Sequence, residues 1–149
     1  MKRSQTLALL HTLAASRTDD AAKRLAAAQA RQHETQSRLE MLDQLQHEYA
    51  NRLETALTGG TAIAQWQNFR QFMGKVERAV DGQAQIVSDA KAHSLRAQQA
   101  WQQQKRRQQS YEALMQRSAL QEARRQQKQD QKTMDEFAAM AARHRNAEW

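Results

Sequence analysis

Five histidines stand at positions 11, 33, 47, 93 and 144, and no two of them are three or four residues apart. That spacing is what sets two imidazoles on one helical face, so a helix-borne metal site is not expected. There is no cysteine, which excludes disulfides and thiolate chemistry and fits a reducing compartment. No glycine-rich phosphate loop and no nucleophile motif occur, and no strand–turn–helix pattern exists to hold one. The sequence therefore assigns no catalytic, cofactor-binding or metal residue, and an enzyme is not expected.

The remaining chemistry is that of charge and apolar surface. The chain carries 23 Lys and Arg against 16 Asp and Glu, a net +7. Between Gln102 and Lys132 eight basic residues face three acidic ones, a local +5, so most of the excess lies in one stretch. The clusters Lys105-Arg106-Arg107 and Arg124-Arg125 read as a solvated helix face, an acidic-protein contact or a phosphate contact. Only Trp101 and Tyr111 flank them, which is no stacking platform, and nucleic acid is not the expected partner.

Large apolar residues gather on either side of a Thr58-Gly59-Gly60-Thr61 step: Leu42, Leu45, Tyr49 and Leu57 before it, Ile63, Phe69, Phe72, Met73 and Val76 after it. Leu45, Leu57, Ile63 and Phe72 fall outside the heptad stripe described below. Two readings stand: a thickened local core, or an apolar patch kept for a partner. A third feature is the C-terminal run 130–138, where Met134, Phe137 and, beyond it, Ala141 form an apolar stripe. Thr133 and Glu136 have capping-box spacing, which would allow a helix break there.

The elements that must carry these groups are helical. The 149 residues include 27 Ala and 24 Gln, no Pro, four Gly, and only five Ile plus Val. Such a chain lacks the β-branched residues and turn chemistry of a sheet. It also lacks the large side chains of a compact core, and its mean hydropathy of -0.97 suits long exposed helix.

A heptad seam runs through Leu7, Ala14, Ala21, Ala28, Thr35, Leu42, Tyr49 and Ala56, with His11, Thr18, Leu25, Gln32, Leu39, Gln46 and Leu53 as companions. A second seam begins Trp66, Phe69, Met73, Val76, Val80, Gln83, Val87, Ala90 and fades through Ala97, Trp101, Tyr111 and Met115. After Met115 the apolar register comes about one residue late, at Ala119, Ala123, Met134, Phe137 and Ala141, in the manner of a stutter. Adjacent glycines stop one helix, and Thr61 is placed to cap the next.

The expected fold is all-α: a long antiparallel two-helix coiled-coil hairpin with an overhanging C-terminal helix. It forms one domain over 1–149, with a first helix at about 4–57, a turn at 58–61 and a second helix at about 62–145. At about 1.5 Å per residue the arms would measure about 80 Å and about 125 Å. Leu53 should oppose Trp66, and Leu42 should lie near Val76–Val80. Gly74 and Gly82 sit alone in helical sequence, where each costs about 1 kcal/mol against Ala, and they are candidates for flexible turns. The residues from about Met115 onward have no partner within the hairpin.

These residues resemble the flagellar export protein FliJ family of the bacterial type III export apparatus. The likeness lies first in Leu7-x-x-Leu10-x-x-Leu13-Ala14 and Asp19-Asp20-Ala21-Ala22. It continues in Leu39-x-Met41-Leu42, Glu48-Tyr49, Gly60 and Trp66-x-Asn68-Phe69-x-Gln71-Phe72. It ends in Asp130-Gln131-Lys132-x-Met134-Asp135-Glu136-Phe137-Ala138, so it runs nearly end to end.

The resemblance implies a stalk like the two-helix shaft of rotary ATPases. The end that joins the two termini would enter the pore of the hexameric export ATPase, with Leu7, Leu10, Leu13, Met134 and Phe137 as the contact. The hairpin tip would meet the cytoplasmic linker of the membrane export gate through Leu42, Tyr49, Phe72, Val76 and Ala79. Arg38, Leu45 and Gln83 depart from the family pattern, in which an amide, an aromatic and an imidazole stand. The resemblance also admits a soluble export chaperone or chaperone-recycling factor, and the equivalent stalk of a virulence-type secretion system. The expected location is cytoplasmic, peripheral at the inner-membrane export apparatus, without membrane insertion, since no run approaches the roughly 20 apolar residues of a membrane span.

Overall fold

The computed structural model describes residues 2–60 and 62–148. It contains two helices, α1 (Lys2–Thr58) and α2 (Ile63–Ala147), packed antiparallel as a helical hairpin, and no strand among the described residues. The chain divides into two compact units, Thr18–Gln103 and Met1–Arg17 with Gln104–Trp149.

The unit of Thr18–Gln103 holds the turn. The N–H of Gly59 donates to the Thr55 carbonyl at 3.1 Å and closes the last turn of α1. Gly60 then takes φ +76°, a left-handed conformation that a Cβ disfavours and that ends many helices. At the start of α2 the Trp66 N–H reaches the Ala62 carbonyl at 3.1 Å. The capping role expected of Thr61 lies outside the described residues. Gly74 and Gly82 interrupt nothing; α2 is continuous through both.

The seam of this unit is built mainly from small residues. Ala21, Ala28, Val76, Val87 and Ala90 are buried, together with Thr18, Thr35 and Ser94. Small side chains on both faces let two helices approach closely, but each removes little apolar area from water. Every heptad position read from α1 in this unit is buried or half-buried. One layer is polar: Gln83 Nε2 donates to the Thr35 carbonyl across the helices at 3.0 Å, and Thr35 Oγ1 donates to the Gln32 carbonyl at 2.9 Å. Thr35 is fully enclosed.

In the second unit Ala14 is buried, and His11 Nε2 meets Glu112 Oε1 at 3.1 Å, joining the two helices. The three- and four-residue alternation in α2 continues unbroken through Gln104, Gln108, Tyr111, Met115 and Ser118, all half-buried. The expected one-residue slip at Met115 thus does not occur in the packed region: Ser118, not Ala119, carries the seam. From Ala119 to Glu148 every residue is exposed. The helix break considered at Thr133 is absent too. Thr133 Oγ1 donates back to the Gln129 carbonyl at 3.0 Å, and its hydroxyl is spent on the preceding turn rather than on a cap.

Candidate functional site

Around the turn, Tyr49 from α1 sits between two phenylalanines of α2. Its ring lies edge-on to Phe72, centroids 4.7 Å apart at 61°, and to Phe69 at 6.2 Å and 60°. The Arg52 guanidinium stands 5.4 Å from the same ring, within cation–π range. Tyr49, Gln65, Asn68, Phe69 and Phe72 line a shallow depression of about 350 Å³. A second, of about 210 Å³, is lined by Leu53, Ala56, Leu57, Gln65, Trp66 and Phe69, and it places Leu53 beside Trp66 as the hairpin register requires.

The five residues assigned to the gate contact divide by heptad position. Leu42 and Tyr49 are half-buried in the seam, and Val76 is buried at 6% exposure. Phe72 and Ala79, seven residues apart on one flank of α2, are exposed, Phe72 at 40%. The flank therefore leaves Phe72 and Ala79 open to solvent, whereas Val76 is enclosed in the seam. Of the other off-stripe residues, Leu57 and Ile63 are open and Leu45 is half-covered.

The unit that holds both chain ends carries the second candidate surface. Leu7 lines a groove of about 850 Å³ with Arg3, Ser4, Met115, Ser118, Ala119, Glu122 and Arg125. Leu10 is half-buried and Leu13 is exposed at 46%. Met134 and Phe137 stand almost fully in solvent, at 70% and 69%. Two residues that sequence reading passed over belong with them. Met140, three residues after Phe137, widens the apolar arc of the tail, and Leu9 is exposed near Leu13 on the outer face of α1. The three-residue step from Phe137 to Met140 was the signal that could have found it.

Among the described residues no group of three His, Cys, Asp or Glu is arranged to hold a metal ion, and no helix is long and apolar enough to cross a membrane. Three of the histidines are spent locally or on the hairpin: His47 Nδ1 meets the Asp43 carbonyl at 2.8 Å, His144 Nε2 lies 3.6 Å from Glu148 Oε1, and His11 meets Glu112.

Fold and surfaces together define a helical-hairpin protein whose apolar side chains are displayed on helix faces rather than gathered around a pocket. The family described as "Flagellar FliJ protein" matches residues 2–147. The "Flagellar FliJ protein" of Salmonella typhi is 30% identical over 142 residues, spanning 95% of this chain and 97% of the relative, and that of Escherichia coli (strain K12) gives the same figures. The chain belongs to the FliJ family and is a component of flagellar protein export. No solved structure matches it.

Proposed function

We propose that this chain is a non-enzymatic stalk of the flagellar type III export apparatus. The start of α1 and the exposed tail of α2 insert into the export ATPase hexamer and promote ring assembly and turnover. Its turn region touches the cytoplasmic linker of the membrane export gate, so that the protein works in the cytoplasm, peripheral to the inner membrane.

The observation that carries this reading is the tail of α2. From Ala119 to Glu148 not one residue is shielded, yet the helix keeps Met134, Phe137 and Met140 on its surface. An isolated helix gains little from such side chains in water, whereas a partner that covers them gains apolar burial of about 1.5–3 kcal/mol per residue. A single helix joined to a narrow two-helix segment fits a pore that a globular domain does not. The basic clusters at 105–107 and 124–128 are suited to acidic walls.

The turn region supports the second contact. Phe72 is a large aromatic on a half-open surface, braced by Tyr49, and rigid aromatic anchors of this kind dominate interface energies. The test is to titrate the full chain with the isolated gate linker and, separately, with the export ATPase. Met134→Asp with Phe137→Asp should abolish ATPase binding and leave gate binding intact, and Phe72→Ala should do the reverse. Loss of both interactions in either variant would contradict two separate contact surfaces.

A further inference from the structure

The charge on α1 is not scattered. Arginine recurs every seven residues at 17, 24, 31 and 38, the same series gives Arg3 and Arg52, and its two remaining members are Leu10 and Leu45. This places all of them on one flank of the seam. The corresponding flank of α2 within the turn-bearing unit carries Gln65, Phe72, Ala79, Ile86, His93 and Ala100. In an antiparallel pair these two flanks border each other, and complementary charges usually meet there. Here neither series contains a carboxylate.

The structure shows what results. Arg24 and Arg31 of α1 stand with His93 and Arg96 of α2 around a groove of about 550 Å³ whose floor includes Ala28 and Ala97. All four basic side chains are exposed. Arg24, Arg31 and Arg96 make no ion pair among the described residues. Glu34 is bound to Arg38 at 2.8 Å, and Asp89 accepts from Gln85 at 3.0 Å. Asp20, one turn before Arg24, forms no ion pair with it. Three guanidinium groups thus rim a largely apolar trough without an ion-paired carboxylate among the described residues.

We propose that this trough is a docking site for an acidic amphipathic helix, laid along the hairpin as a third strand. Arg24 and Arg31 lie about 10 Å apart along the axis, one heptad, so carboxylates repeating at heptad spacing meet both. Small apolar side chains of the same helix cover the alanine floor. A phosphate backbone matches the charge but leaves that floor uncovered, and His93 is the one aromatic ring in the lining, with no Phe, Tyr or Trp beside it to build a stacking platform for successive bases. The trough shares no residue with the Phe72 surface or with the tail, so its occupant is additional to the two partners proposed above.

The test uses the full chain and a labelled helical peptide of about three heptads, with Leu and Ala on one face and Glu along both borders of that face. Fluorescence anisotropy should show saturable binding. Arg24→Glu, Arg31→Glu and Arg96→Glu combined should weaken it by about tenfold or more with helical content unchanged. Arg70→Glu, Lys75→Glu and Arg78→Glu combined impose the same change of net charge outside the groove and should leave binding within about twofold of the parent chain. Equal loss in the two triple variants would overturn the proposal, because it would reduce the effect to net charge. So would equal binding of a peptide of the same composition with shuffled Glu positions. Poly(dT) binding that is lost in the groove variant, without patterned-peptide binding, would make the trough a phosphate surface instead. Sedimentation showing a dimer of the chain that only the groove variant dissolves would make a second copy the occupant.

Discussion

Tyr49 and Phe72 face each other edge-on across the hairpin, ring centroids 4.7 Å apart, but only Phe72 leaves a large part of its surface, 40%, to solvent. Tyr49 also meets Phe69, so it belongs to the seam as well as to the surface proposed for the gate linker. The two residues should therefore separate on substitution. Phe72→Ala should weaken gate-linker binding by about tenfold while costing about 1 kcal/mol of stability. Tyr49→Ala should weaken binding as well but cost about 2–3 kcal/mol, read by thermal unfolding followed by circular dichroism. Equal destabilisation by both would assign Phe72 to the core.

The glycines should not behave alike. Gly60 has φ +76°, so Gly60→Ala should destabilise by about 1 kcal/mol despite open space around it. Gly82 lies inside α2, where an added Cβ would meet nothing within 4 Å, so Gly82→Ala should stabilise by about 1 kcal/mol. Urea unfolding of the two variants checks both signs.

Gln104 occupies a seam position, and its side-chain oxygen is buried without a hydrogen-bond partner. An enclosed unpaired acceptor costs about 1–3 kcal/mol. Gln104→Leu, which keeps a side chain of similar bulk and removes the acceptor, should raise the unfolding midpoint. A lowered midpoint would mean that the amide is satisfied in solution.

The Thr35–Gln83 layer should fix register more than it adds stability. Gln83→Leu removes the cross-helix hydrogen bond but fills the same seam position with apolar volume. Net stability should change by no more than about 1 kcal/mol. Disulfide trapping between cysteines placed at exposed flanking positions should then detect slipped registers that the parent chain does not form. A single trapped register in the Gln83→Leu variant would locate register control elsewhere, in the turn or the aromatic cluster.

Much of the fold was legible because heptad spacing is a sequence property. The residues from Leu7 to Ala56 and from Trp66 to Met115 marked the seam through their period, and the paired glycines marked the turn. What was missed has a common cause. Following apolar residues alone passes over Ser94, Gln104 and Gln108, which hold seam positions as polar side chains. The same habit produced the expected slip at Met115: Ala119 and Ala123 continue an apolar pattern, but the polar Ser118 takes the seam position and every described residue from Ala119 onward is exposed. The surfaces proposed for partners were partly visible. Phe72 stood out as off-stripe, whereas the support role of Val76 required knowing its burial. The arginine series on α1 is periodic in the sequence, yet its significance depends on which flank of α2 borders it and on what that flank lacks.

The central claim is that the exposed tail of α2, with the start of α1, drives the export ATPase. The most direct measurement is ATP hydrolysis by the cognate export ATPase at subsaturating enzyme, with the parent chain and with Met134→Asp combined with Phe137→Asp. The account predicts faster turnover and more hexamers by electron microscopy with the parent chain, and neither with the variant. Unchanged turnover and assembly with the parent chain, or full stimulation by the variant, would contradict it.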